Sequence, residues 1–107
     1  LELWEARNAA LVEMDLAHIY THINKLDQAV ALLESARATW QSLEEPSGAA
    51  ECALSLGDCL TLLGRNDDAI AVYQLAVDDF ERAGNLQQMN LASERVNADT
   101  DVAKVDN

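Results

Sequence analysis

Apolar residues recur along this chain at helical intervals, and the intervals come in two copies. Val12, Leu16, Ile19, Tyr20 and Ile23 step by four, three, one and three residues, and Cys52, Leu56, Cys59, Leu60 and Leu63 take the same steps. Ala29, Leu33, Ala36 and Trp40 step by four, three and four, and Ala69, Tyr73, Ala76 and Phe80 repeat them. Such spacing lines one face of an α-helix. Nothing alternates apolar and polar as a half-buried strand would, and the chain has no Asn-Gly or Asp-Gly hairpin turn.

The two copies form one repeat of 40 residues. Sliding Leu3–Trp40 onto Leu43–Phe80 places Ala9 and Ala10 on Ala49 and Ala50, Met14 on Leu54, and Ala17 on Gly57. Asn24 then meets Gly64, Asp27 meets Asp67, Ala29 meets Ala69, and Trp40 meets Phe80. A fixed period of this length, helical throughout, predicts a solenoid of stacked units rather than a closed globule.

Punctuation agrees with the periodicity. Gly64 stands where a helix ends and the backbone needs a left-handed residue, and Asn24 holds the equivalent place one repeat earlier. Asn66 reads as an N-cap, followed by Asp67 and Asp68 at the positive end of the helix dipole. Pro46 suits the first turn of a third helix, and Gly84-Asn85 closes a fourth. The predicted helices span 7–23, 26–43, 46–63, 66–83 and 86–103, giving a first repeat over 7–43, a second over 46–83 and a capping helix. Links this short force antiparallel hairpins. Ala17, Ala29, Ala36, Gly57, Ala69 and Ala76 let the helices approach closely, while Tyr20, Leu33, Trp40, Tyr73 and Phe80 fill the space between them. In the fifth helix Met89, Ala92, Val96, Val102 and Ala103 would cover the preceding hairpin. Its remaining residues, including Asn90, Ser93, Glu94, Arg95, Asn97, Asp99, Thr100 and Asp101, would give a solenoid its wet end. Val105-Asp106-Asn107 reads as a frayed tail.

Half of the 107 residues are hydrophobic, enough for the core of one domain. Nineteen acidic residues against seven basic ones give a net charge of -12. That balance argues against nucleic acid and anionic membranes, which require a positive face. It suits solubility or a basic partner. No apolar run approaches the roughly 20 residues that span a bilayer, and Leu1-Glu2-Leu3-Trp4-Glu5 lacks the features of a signal peptide. With no initiator Met, and opening residues that match the end of a later helix, the chain reads as a piece of a longer protein. Cys52 and Cys59 lie seven residues apart on one predicted helix, about 10 Å along its axis. They read as small buried hydrophobes in a reducing, cytoplasmic setting, neither bridged nor metal-bound.

Taken together, Ala17, Tyr20, Asn24, Ala29, Leu33 and Ala36, with Gly57, Leu60, Gly64, Ala69, Tyr73 and Ala76, resemble the tetratricopeptide repeat. That pattern runs small, aromatic, turn Gly, Ala, aromatic, Ala; Asn24, Leu33 and Leu60 depart from it. The usual period is about 34 residues, so the chain resembles the extended subclass found in cell-polarity adaptors and bacterial regulators. The resemblance implies an all-α, right-handed solenoid of about five helices. It also implies that the first helix of each repeat lines a concave peptide groove. The groove residues would be Leu11, Met14, Asp15, His18 and His22, with Glu51, Leu54, Ser55, Asp58 and Leu62. Thr21 and Thr61 join that face, and Leu91, Glu94 and Arg95 could extend it. The groove positions of the two repeats hold no Lys or Asn, so a carboxylate clamp for peptide C-termini is not expected. An apolar floor flanked by carboxylates suits a basic or amphipathic segment.

His18 and His22 share one helical face, with Asp15 one turn earlier. The spacing can hold a divalent metal, but it lacks the Glu that a metalloprotease helix requires, so the pair reads as polar groove lining. No metal or cofactor is expected. Glu44-Glu45, Asp67-Asp68 and Asp78-Asp79 read as helix-end or outer-face carboxylates, and neither a phosphate loop nor a nucleophile elbow occurs. The expectation is a non-catalytic protein- or peptide-binding scaffold. Its alternative is a regulatory or self-association segment of a larger cytosolic signalling or transcription regulator, pairing through open solenoid ends.

Overall fold

Four turns of one design set the architecture. Each helix before a turn ends at a left-handed residue: Asn24 at φ 62°, Glu44 at 56°, Gly64 at 79° and Gly84 at 74°. The next amide donates to the carbonyl five residues back, Lys25 to Tyr20 at 2.8 Å, Glu45 to Trp40 at 3.0 Å, Arg65 to Leu60 at 2.8 Å and Asn85 to Phe80 at 2.9 Å. The left-handed residue's own amide reaches three back, as Asn24 does to Thr21 at 3.1 Å. These paired bonds form the Schellman motif, which satisfies the orphan carbonyls of a helix end. Its recurrence every twenty residues reverses the chain at a constant interval.

The computed structural model describes residues 2–106, with side chains through Val102. Its helices are α1 (Leu3–His22), α2 (Leu26–Ser42), α3 (Pro46–Leu62), α4 (Asn66–Arg82) and α5 (Leu86–Asp106). No strand occurs among the described residues. Consecutive helices pack on one another in a slab of 48 × 32 × 18 Å, about two helix diameters thick. This is an all-α solenoid of two hairpins, α1–α2 and α3–α4, with α5 laid against α4. None of the described helices is long and apolar enough to cross a membrane.

Some boundaries differ from expectation. Leu3–Ala6 form the first turn of α1, which starts four residues before the expected 7. Asn66 is the first residue of α4 rather than its cap, because Leu63, Gly64 and Arg65 use up the short link. Arg65 takes the cap position without a side-chain cap bond, and its Nε donates to Asp68 at 3.0 Å. The backbone of α5 continues through Val105 to Asp106 where a frayed tail was expected. Val102, expected on the covered face, is exposed. The side chain of Ala103 and all of Asn107 lie outside the described residues.

Large rings meet small residues in the core. Ala29, Ala36, Ala69 and Ala76 have no exposed surface, and Ala17 almost none. A Cβ on Gly57 would lie 2.3 Å from the Tyr73 ring, and one on Gly48 would lie 2.4 Å from the Trp40 indole. The indole N–H of Trp40 donates to the sulfur of Met14 at 3.2 Å. Phe80 packs among Ala50, Ala53, Ala76 and Ala92. Cys52 and Cys59 are free and buried as expected. Burial pushes the Cys52 thiol up from 9.0 to about 12, so it behaves as a small hydrophobe.

Two acids expected on wet faces are buried. Asp79 is held between Arg37 of α2 at 3.1 Å and Arg82 at 2.7 Å, so the charge is paired as it leaves water. The buried Nε of Arg37 has no acceptor among the described residues. Asp99 of α5 accepts a hydrogen bond from the Thr61 hydroxyl at 2.6 Å. It stands forty residues after Cys59, another buried position, so the repeat itself marks the site as inward-facing.

Glu44 is the one left-handed turn residue that is neither glycine nor asparagine, and the conformation costs such an L-residue roughly 1–2 kcal/mol. Glu44→Gly is therefore expected to stabilise the chain by about 1 kcal/mol, after allowing for the greater freedom of the unfolded glycine chain. Urea denaturation reads this directly. A lower midpoint for the variant would mean that the Glu44 side chain holds the turn.

Candidate functional site

Because α1 and α3 begin successive repeats, equivalent faces of the two helices come side by side. Between them lies an open depression of about 540 Å3. Met14, Asp15, His18 and His22 line it from α1, and Glu51, Leu54, Ser55 and Asp58 line it from α3. These are eight of the ten residues expected in the groove. Leu11 and Leu62 are exposed but stand outside the lining, which on these helices begins at Met14 and ends at Asp58. Ala17, Leu33 and Phe80 form the deeper floor, and Gln88 contributes from α5. Gln88 was not anticipated. It occupies the register of Gly48, where the earlier repeat has no side chain to suggest a lining role.

The lining residues differ in how free they are. Met14 and Leu54 are half-buried, each shared with the core: Met14 receives the Trp40 N–H, and Leu54 packs against two core clusters. Asp58 is already engaged. Arg95 Nη1 donates to both of its oxygens, at 2.9 and 2.8 Å, and the Tyr73 hydroxyl donates to Oδ1. Burial and the Asp58 carboxylate push the Tyr73 phenol well above its ordinary value of 10.0, so it remains a donor. Asp58 therefore reaches the groove with its charge balanced. Asp15 and Glu51 are exposed and form no ion pair among the described residues.

His18 and His22 face each other with Nε2 atoms 3.1 Å apart and ring centroids 4.5 Å apart, their planes at 87°. The remaining residues expected near the groove have other duties. Thr21 also lines the α1–α3 depression while its hydroxyl donates to the Ala17 carbonyl at 2.9 Å, Thr61 donates to Asp99, and Arg95 is committed to Asp58. Leu91 and Glu94 line a separate, shallower depression with Gln87, Gln88 and Asn90. A further cavity near the α2–α3 turn has Glu45, Asp79 and Arg82 among its lining residues. Those charges are already paired, Glu45 with Arg7 and Asp79 with its two arginines, and Glu44 is the one lining carboxylate with no ion pair among the described residues. The α1–α3 depression is the better candidate, since it combines apolar floor with unpaired carboxylates.

Comparison with known proteins agrees with this fold. The family model for the tetratricopeptide repeat matches residues 8–82, more than half of the chain. The crystal structure of the TPR domain of Arabidopsis FLU superposes with a TM-score of 0.73 at 14% identity, over 94% of this chain and 98% of that one. At that identity the likeness concerns the fold. No curated protein matches the chain.

Proposed function

The chain belongs to the tetratricopeptide repeat family, and we propose that it is a non-catalytic scaffold module that holds a protein segment in the α1–α3 groove. Repeats of this family serve as protein-interaction scaffolds. The observation that carries the finer reading is the pairing of exposed, unmatched Asp15 and Glu51 with the half-buried apolar floor of Met14 and Leu54. Apolar side chains of a docked segment would meet the floor, and its cations would meet the carboxylates. The net charge of -12 adds a long-range pull on a basic partner and repels an acidic one. A basic amphipathic helix or peptide fits these terms best. The two free thiols accord with a cytoplasmic setting.

Asp15 and Glu51 are exposed, so reversing them leaves the core intact. Peptides selected from a displayed helical library against the native chain should be rich in Lys and Arg with apolar residues three and four apart. The Asp15→Lys, Glu51→Lys variant should bind them about tenfold or more weakly at low salt. Equal binding by the variant would remove the groove from the proposal.

A second reading rests on another observation. Val12 and Ile19 are more than half exposed, yet their counterparts by register, Cys52 and Cys59, are fully buried, and Ile23 is more than half exposed where Leu63 is half-buried. With Leu16 and Trp4 they leave α1 an apolar face of the kind through which α1 copies could self-associate. Sedimentation of the native chain at rising concentration should then show a dimer that Ile19→Glu disperses. A monomer throughout would retire this reading and leave the groove reading untouched.

A further inference from the structure

The histidine pair has more order than a polar lining requires. His18 and His22 sit one turn apart at the C-terminal end of α1, on one face, with both imidazoles exposed. Their Nε2 atoms converge to 3.1 Å, which without a metal requires one ring nitrogen to donate and the other to accept. A cation bound at about 2.0–2.1 Å from each nitrogen, with an angle between square and tetrahedral, needs the nitrogens about 2.9–3.4 Å apart. The observed separation falls inside that window, so one cation lying off the line between the two nitrogens could be held by both once the rings turn to aim at it.

We propose that His18 and His22 chelate a late first-row divalent cation, of the Zn2+, Ni2+ and Cu2+ class, at the wall of the α1–α3 groove. Imidazole nitrogen selects these ions over Mg2+ and Ca2+, which prefer oxygen. The groove supplies the field that draws a cation in, with Asp15 one turn before His18 and Glu51 on the facing helix. Among the described residues no third His, Cys, Asp or Glu completes a coordination set. The protein thus provides two ligands, and the remaining positions open into the 540 Å3 depression, to water or to a donor atom on whatever docks there. The buried thiols do not compete. Cys52 and Cys59 have essentially no exposed surface, and burial disfavours the Cys52 thiolate that a metal would need. This inference stands whether or not the groove holds a peptide.

The test is calorimetric titration of the untagged chain with NiCl2 and with ZnSO4 in a non-coordinating buffer, alongside nitrogen NMR spectra of the imidazoles. One ion per chain is expected, with both Nε2 resonances shifting. The second imidazole is held beside the first by the helix, so removing either one, in His18→Ala or His22→Ala, should weaken binding about 100-fold. Both positions are exposed, and circular dichroism of each variant verifies that the helices remain. MgCl2 at the same concentrations should leave both imidazole signals unmoved. The proposal is overturned if the single-histidine variants bind as the native chain does, which would place the metal on surface carboxylates. It is equally overturned if the imidazole signals stay still at millimolar nickel and zinc.

Discussion

The constraint on which the rest of this structure depends is a matching of bulk across helix contacts. Where one helix brings a large ring, its neighbour offers a glycine or an alanine. Tyr73 lies over Gly57 so closely that a single methyl there would stand 2.3 Å from the ring, and Trp40 lies as tightly over Gly48. Phe80 is ringed by four alanines. Interiors pack at crystal-like density, so these fits set helix spacing rather than follow from it. That spacing brings α1 and α3 side by side and leaves the α1–α3 depression between them.

Much of this was legible in the sequence, because a repeat reports the same physics twice. The forty-residue shift carried the helix order and the left-handed turns at Asn24 and Gly64, and a four-residue spacing carried the shared face of His18 and His22. What escaped has physical reasons. Glu44 gives no compositional hint of a left-handed backbone; only the twenty-residue cadence of the turns marks it. Asp79 looked like one half of an exposed acidic pair, and its burial depends on Arg37, forty-two residues away. Asp58 was read as a free groove acid. Arg95 and Tyr73, from two other helices, converge on it only in three dimensions. Leu11 and Leu62 shared the right helical face but lay beyond the two turns over which the depression extends.

The terminal helix is held in a different manner from the others. Ala92 is buried and Met89 and Val96 pack against the core, but much of α5's attachment is polar: Arg95 to Asp58, and Asp99 to Thr61. Directional bonds of this kind fix register more firmly than an apolar face, which can slide. They also link α5 to the groove wall, because the same Asp58 that receives Arg95 lines the depression.

The most direct test of the bulk-matching constraint uses the exchange that the repeat itself suggests. The first repeat places Ala17 and Leu33 where the second places Gly57 and Tyr73. Gly57→Ala should be made in the native chain and in a Tyr73→Leu background, and the unfolding free energy measured for all four proteins. With the ring present, the added methyl should destabilise by about 1–3 kcal/mol. With the ring gone, it should be neutral or should stabilise by up to the roughly 1 kcal/mol that alanine gains over glycine within a helix. The same change in both backgrounds would contradict the claim that ring and glycine set the helix spacing together.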